Sequence, residues 1–278
     1  MAKQQTLKTE VHYSGITLHT GLRAHIRLKP APVNTGFVIV RIDVDGKPTG
    51  KALATNVIDT HRATTIACGN SPVHTVEHVL AALYASEVDN VIIEMDGPEP
   101  PIVDGSSRPF LEMINKAGIS KQRTDREICV IKEAIWVEEG ESKLIIIPDD
   151  LYRISCTVKY GVSILDTQYR SLEINTQSFF DELSLARTFC IYDEIEGLMK
   201  AGLIRGGSLD NAVVLKGDAI ICKDEMRYPD EFVRHKMLDI VGDLSLVGRR
   251  LQGQIIAIKP GHPINVSLAL KIIEKMGY

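Results

Sequence analysis

The chain of 278 residues contains no apolar run approaching the roughly eighteen residues of a membrane-spanning helix. Its start, MAKQQTLKTE, has no apolar segment of the kind a secretory signal carries. Charge of neither sign dominates. The 32 Lys+Arg against 36 Asp+Glu leave a formal net charge of −4, which offers no electrostatic attraction to nucleic acid or to an anionic membrane. Cysteine is sparse, and the five present (Cys68, Cys129, Cys156, Cys190 and Cys222) are odd in number, scattered and never spaced as CxxC. A disulfide framework and a thiolate-ligated zinc are both disfavoured, and a reducing compartment, the cytoplasm, is expected. With 44% apolar and 24% charged residues, extended disorder is excluded, and the length allows one large domain or two of ordinary size.

Residues 11–70 alternate in short apolar stretches broken by turn residues, as in HIRLKPAPVNTG and FVIVRIDVDGKPTG, and predict several strands. SPVHTVEHVLAALYASE then predicts a helix that opens at Ser71-Pro72 and carries apolar residues at 76, 79, 80 and 83. A strand (NVIIEM) and a short helix closed by Gly118 follow. The polar stretch ISKQRTDREI predicts a linker. After it the order repeats: strands, a His-bearing helix in PDEFVRHKMLDIVGDLSLVG, the strand QIIAIK, and a last helix, PINVSLALKIIEKMGY. This is the pattern of an internal duplication. The expected units are residues 1–122 and 123–278. The second carries an extra piece over 181–216, with a helical stretch and a tight turn at Arg205-Gly206-Gly207-Ser208.

The eight histidines carry the chemistry that can be read. His235 and Asp239 are one helical turn apart and could hold a single metal ion, with Asp243 one turn further along the same face of roughly 80°; from spacing alone a solvated stripe is the favoured reading. His74-Thr75-Val76-Glu77-His78 fits H-x-x-E-H, two zinc ligands around a general-base carboxylate, which would make the chain a metallopeptidase. Duplication offers another arrangement. If the two His-bearing helices face each other, His78 meets His235 and Asp239, and three protein ligands with one open position are what a catalytic zinc requires. Glu77 is then placed to act as base, and His262, in the loop Lys259-Pro260-Gly261-His262-Pro263, as acid. His12, His25 and His61 have no companion carboxylate at useful spacing and read as ordinary surface or hydrogen-bonded residues. A non-catalytic binding module of two small sandwiches is a further reading, since fold alone implies no chemistry.

TVEH (75–78), LARTFC (185–190), GGSLDNAVV (206–214), EFVRHKMLDIVGDL (231–244) and KPGHPIN (259–265), in this order, resemble the zinc-dependent UDP-3-O-acyl-N-acetylglucosamine deacetylases of lipid A biosynthesis. HTG at 19–21 and PIVDGSSRPF at 101–110 resemble the family's first domain, so nearly the whole chain is covered. The resemblance implies an α+β fold of two similar α/β two-layer sandwiches facing each other, with an acyl-passage insert at about 190–216 in the second. It implies a cytoplasmic hydrolase of an acylated UDP-sugar, with one Zn2+ per chain, Fe2+ being an alternative. His78, His235 and Asp239 would be the metal ligands and Glu77 the general base. His262 would be the acid that protonates the leaving amine, and Asp243 the carboxylate orienting it. Lys236 and Thr188 would stabilise the tetrahedral intermediate, and Phe189 would pack on the sugar nucleotide. Ile195, Leu198, Leu203 and Leu209 would wall the acyl channel. His74 lies outside the family's pattern, which covers TVEH alone, and His19 lies near the cleft without a catalytic role.

Overall fold

The structure, a computed structural model, describes residues 2–161 and 167–277. Tyr278, the last residue of the predicted terminal helix, lies outside the described residues. In chain order the first half holds β1 (Lys3–Leu7), β2 (Val11–Ile16), β3 (Arg23–Pro30), β4 (Phe37–Arg41), β5 (Thr49–Lys51), β6 (Val57–Asp59), β7 (Thr65–Ile66), α1 (Glu77–Ala85), β8 (Val91–Met95), α2 (Arg108–Ala117) and β9 (Ile119–Asp125). The second holds β10 (Ile128–Val130), β11 (Ile135–Glu139), β12 (Ser142–Ile147), β13 (Tyr152–Val158), β14 (Gln168–Glu173), α3 (Thr176–Ser178), β15 (Phe189–Ile191), α4 (Tyr192–Lys200), β16 (Val213–Lys216), β17 (Ala219–Ile221), α5 (Glu231–Leu244), β18 (Arg250–Ile258) and α6 (His262–Met276).

The duplication is visible strand for strand. One sheet runs β2-β3-β8-β4-β5, and the other runs β11-β12-β18-β13-β14, with β10 alongside β18. In each, an antiparallel hairpin leads, and the strand that follows the His-bearing helix is central. That strand pairs antiparallel with the hairpin (β3 with β8, β12 with β18) and parallel with the next strand (β8 with β4, β18 with β13). Alternation puts one face of each sheet inward: β3 reads exposed and buried in turn, and β8 is buried at Val91, Ile93 and Met95. A single core of buried residues runs through β3, β8, α1, α5, β13 and β18. The fold is α+β, two similar two-layer sandwiches with an insert in the second.

Helices α1 and α5 meet at this core. All nine residues of α1 are buried, and so is every residue of α5 except Lys236, so neither helix has a solvated side. The stripe that spacing alone would leave in water is therefore interior. The helices touch backbone to backbone: a Cβ on Gly242 would lie 2.2 Å from the Glu77 carbonyl oxygen.

Three local expectations change. The first helix begins at Glu77, not at Ser71, because Thr75 takes φ 55°. A β-branched residue is rare in that left-handed region, and here its hydroxyl donates to the fully buried carboxylate of Glu99 at 2.8 Å. The stretch read as a linker is β9, paired antiparallel with β1, its alternation hidden in polar side chains. His262 is the first residue of α6 rather than a loop residue. The turn at Arg205-Gly206-Gly207-Ser208 is present, with Gly207 N–H donating to the Ile204 carbonyl at 3.0 Å, and it docks on the first half through Gly206 N–H to the Leu18 carbonyl at 2.9 Å.

Gly242→Ala is expected to destabilise the protein by about 3 kcal/mol or more, because backbone cannot retreat from a Cβ. Gly197→Ala in α4, where a Cβ meets nothing within 4 Å, is expected to be neutral or slightly stabilising. Thermal melts of the two variants check this.

Candidate active site

The two helices bring His78, His235 and Asp239 together, each offering one ligand atom, all within 4.8 Å of one another. Asp239 Oδ1 lies 3.5 Å from His235 Nε2 and 3.8 Å from His78 Nε2, and the two rings stand edge to face with centroids 5.1 Å apart. The Ala186 carbonyl is 3.0 Å from His235 Nδ1. Since a carbonyl only accepts, Nδ1 carries the proton and Nε2 keeps its lone pair toward the cluster.

Two observations show that a cation fits here. Asp239 Oδ1 is a buried carboxylate oxygen with no hydrogen-bond partner, which is costly unless a positive charge answers it. Both rings are held neutral: burial, then the neighbouring His235, pushes His78 down to about 3, and burial likewise lowers His235. Burial works against the Asp239 carboxylate, yet its charged surroundings, the Lys236 ammonium among them, hold it well below the usual carboxylate range. Neutral imidazoles and an ionised carboxylate are the protonation states in which these groups ligate metal.

Other titratable groups surround this cluster. Glu77 is buried, and burial, against the opposing pull of His262, raises it to about 7. The Thr64 N–H donates to its Oε2 at 3.0 Å. His262 is also buried, which by itself lowers its pKa, and its place on the first turn of α6 is unfavourable to a cation. The Asp243 and Glu77 carboxylates outweigh this and raise it to about 9. Asp243, 0% exposed, accepts from His262 Nδ1 at 2.9 Å and Asn265 Nδ2 at 2.8 Å on Oδ2, and from the Thr64 hydroxyl at 2.6 Å on Oδ1. With Nδ1 committed to Asp243, Nε2 is the ring nitrogen left for another partner.

A cavity of about 300 Å³ is lined by Glu77, His78, Thr188, Phe189, His235, Lys236, Asp239 and His262, and by Leu18, His61, Arg62 and Thr75. Lys236 Nζ bonds Asp239 Oδ2 at 2.7 Å, and against the cost of burial Asp239 raises its pKa. The Phe189 ring packs edge to face on Tyr160, Phe232 and His235, with Lys236 Nζ 5.5 Å from its centroid. Leu198 is buried in α4, Ile195 and Leu203 are half-buried and Leu209 is exposed; none of the four lines this cavity. A larger hollow of about 350 Å³, at Tyr84, Asp89, Arg126 and Arg250, contains none of these catalytic candidates. His74 stands apart from the cluster, with Nδ1 3.0 Å from the Thr65 hydroxyl. His19 is buried beside the insert, its backbone N–H bonded to Glu99. Sequence reasoning missed Thr64, Asn265 and Glu99, whose partners lie far away in the chain. Asn265, at i+3 from His262 on α6, was the one with a detectable spacing.

The family model for UDP-3-O-acyl N-acetylglycosamine deacetylase matches residues 4–274. The chain belongs to this family. Among its relatives, the UDP-3-O-acyl-N-acetylglucosamine deacetylase of Chlamydia felis (strain Fe/C-56) is 45% identical over 274 residues, 98% of both chains. Those of Geobacter sp. (strain M21) and Myxococcus xanthus (strain DK1622) are each 42% identical, over 99% and 98% of this chain and 90% and 86% of their own. The metallopeptidase reading and the non-catalytic module both give way, the first because His74 is outside the cluster, the second because the whole chain matches a family of hydrolases.

His78→Ala and His235→Ala are expected to lose bound divalent metal, whereas His74→Ala retains it. Elemental analysis of the purified variants reads this directly.

Proposed function

We propose that the protein hydrolyses the acetamide of a UDP-3-O-acyl-N-acetylglucosamine to the free amine and acetate in lipid A biosynthesis. The observation that carries the reading is the convergence, in one cavity of a chain belonging to the deacetylase family, of a base (Glu77), an acid (His262) and a neutral-His, ionised-Asp donor set. The proposed occupant of that donor set is one Zn2+, with Fe2+ the alternative that the same ligands accept. A divalent ion there supplies Lewis acidity, polarising the acetamide carbonyl and lowering the pKa of water towards about 7.

The chain's own groups do the rest. Glu77 takes the proton from the attacking water, helped by a basicity that burial raises to about 7. His262 gives a proton from Nε2 to the departing amine, with Asp243 holding Nδ1–H and stabilising the cation. The Lys236 ammonium and the Thr188 hydroxyl, both on the cavity wall, donate toward the oxyanion, and Phe189 packs on the sugar nucleotide. The apolar residues of the 190–216 insert, Ile195, Leu198, Leu203 and Leu209, contact the acyl chain. The two functional units are proposed as residues 1–122 and 123–278, a division supported by the matching strand order of the two sheets, with β9 carrying the first unit across that boundary to Asp125 through its pairing with β1. The sparse, scattered cysteines and the nucleotide-linked substrate support a cytoplasmic site of action.

Amine release from the acylated sugar nucleotide tests the activity. Glu77→Gln is expected to keep its metal and lose about 10²-fold or more in kcat. Because the His262 pKa is raised from 6.5 to about 9, its acid form persists at neutral pH and is lost as pH rises through about 9. The rate should fall along that alkaline limb, and His262→Gln should lower kcat and abolish the limb. A kcat–pH profile from 6 to about 10.5 measures both.

A further inference from the structure

One buried residue touches both the base and the acid pair, yet neither holds the metal nor transfers a proton. Thr64 is 0% exposed and precedes β7, on neither of the two crossing helices. Its backbone N–H donates to Glu77 Oε2 at 3.0 Å, its hydroxyl donates to Asp243 Oδ1 at 2.6 Å, and the same oxygen lies 3.4 Å from His262 Nδ1. We propose that Thr64 is a positioning residue for the acid step: its hydroxyl fixes the Asp243 carboxylate so that Oδ2 faces His262, and its backbone holds that pair in register with Glu77.

The hydroxyl has one proton, and a carboxylate can only accept it. Asp243 Oδ1 is thereby satisfied by Thr64, and Oδ2 is left to take Nδ1–H of His262 and the amide of Asn265. Without the hydroxyl, Oδ1 becomes a buried carboxylate oxygen lacking a partner. The carboxylate then turns to share its remaining donors, and the imidazole loses the fixed partner that orients it. Asn265 alone does not prevent this, because it binds the same oxygen as His262. The base is affected differently, since its contact is to the Thr64 backbone, which every side-chain variant keeps. Among the described residues, six titratable groups face or act on His262: Asp243, Asp239 and His235 from α5, Glu77 and His78 from α1, and His19 from the β2–β3 connection. Replacing Thr64 leaves all six in the protein and removes only the hydroxyl.

This inference rests on the proposed role of His262, so His262→Gln is measured first. If that variant keeps the alkaline limb, the functional reading fails and this inference falls with it, whereas a failure confined to the Thr64 variants below counts against this inference alone. Given its loss, Thr64→Val, which is nearly isosteric, should fold, keep its metal and KM, and lose about 10- to 100-fold in kcat, as orienting partners of a catalytic group do. Its alkaline limb should move below about 9, and the ring-proton titration of His262 followed by NMR should move the same way. Thr64→Ser, which restores the hydroxyl, should recover kcat and the limb. Thr64→Ala serves in place of Val if the β-branched variant does not fold. The proposal is overturned by a hydroxyl-free variant with kcat within about twofold of the parent, by a limb that stays or moves upward, or by a Ser variant as slow as Val.

Discussion

The close crossing of α1 and α5 is the constraint on which the rest depends. Neither helix has a solvated face, and at Gly242 and Glu77 their backbones approach within the space of a missing Cβ. That contact sets the axial register of the two halves. It places the first turn of α1, with Glu77 and His78, opposite the turn of α5 that carries His235 and Asp239, so candidate ligands separated by about 160 positions in the chain occupy one small volume. A side chain at 242 would push the helices apart, and the donor atoms are already at the separation a single ion spans.

Electrostatics explains why so much charge is tolerated inside. Glu77, Asp239 and Asp243 are all buried, and isolated carboxylates there would be strongly unfavourable. Asp243 has three donors, Glu77 a backbone N–H, and Asp239 the Lys236 ammonium on one oxygen. The residual imbalance is concentrated at Asp239 Oδ1, and the two nearest rings are neutral. Among the described carboxylates of this site, Asp239 Oδ1 is the oxygen left unanswered, which is the electrostatic form of a cation site.

Supporting contacts hold this arrangement from outside. Arg187 and Glu231 form a buried ion pair at 2.8 Å, and Glu231 also accepts from the backbone N–H groups of Arg187 and Arg227. This anchors the segment just before α5 and fixes the Ala186 carbonyl that sets the His235 tautomer. On the other side, Glu99 gathers the N–H groups of His19 and Thr20 and the hydroxyl of Thr75, stabilising the left-handed residue from which α1 starts. Buried carboxylates are thus used twice as backbone clamps, each near a helix that bears a ligand.

Much of this was legible in the chain itself. Periodicity located α2, α5, the central strands and the repeat, because amphipathic and two-sided burial leave patterns over five or more consecutive residues. H-x-x-E-H and HxxxD marked candidate ligands but left two pairings open, with His74 or His235 as the second histidine, since spacing reports which residues share a helix face and not what that face meets. The start of α1 and the strand β9 escaped, one because a strained threonine is held by a distant carboxylate, the other because its partner β1 is the far end of the chain. Sequence by itself determined the duplicated α+β architecture and the residue types available for metal and proton chemistry. Only the tertiary structure decided that His78 joins His235, that Asp243 is an interior support for His262, and that Thr64 ties base to acid. The first is a pair of rings 5.1 Å apart and the other two are hydrogen bonds of 2.6 to 3.0 Å; all join segments distant in the chain, and no local pattern encodes them.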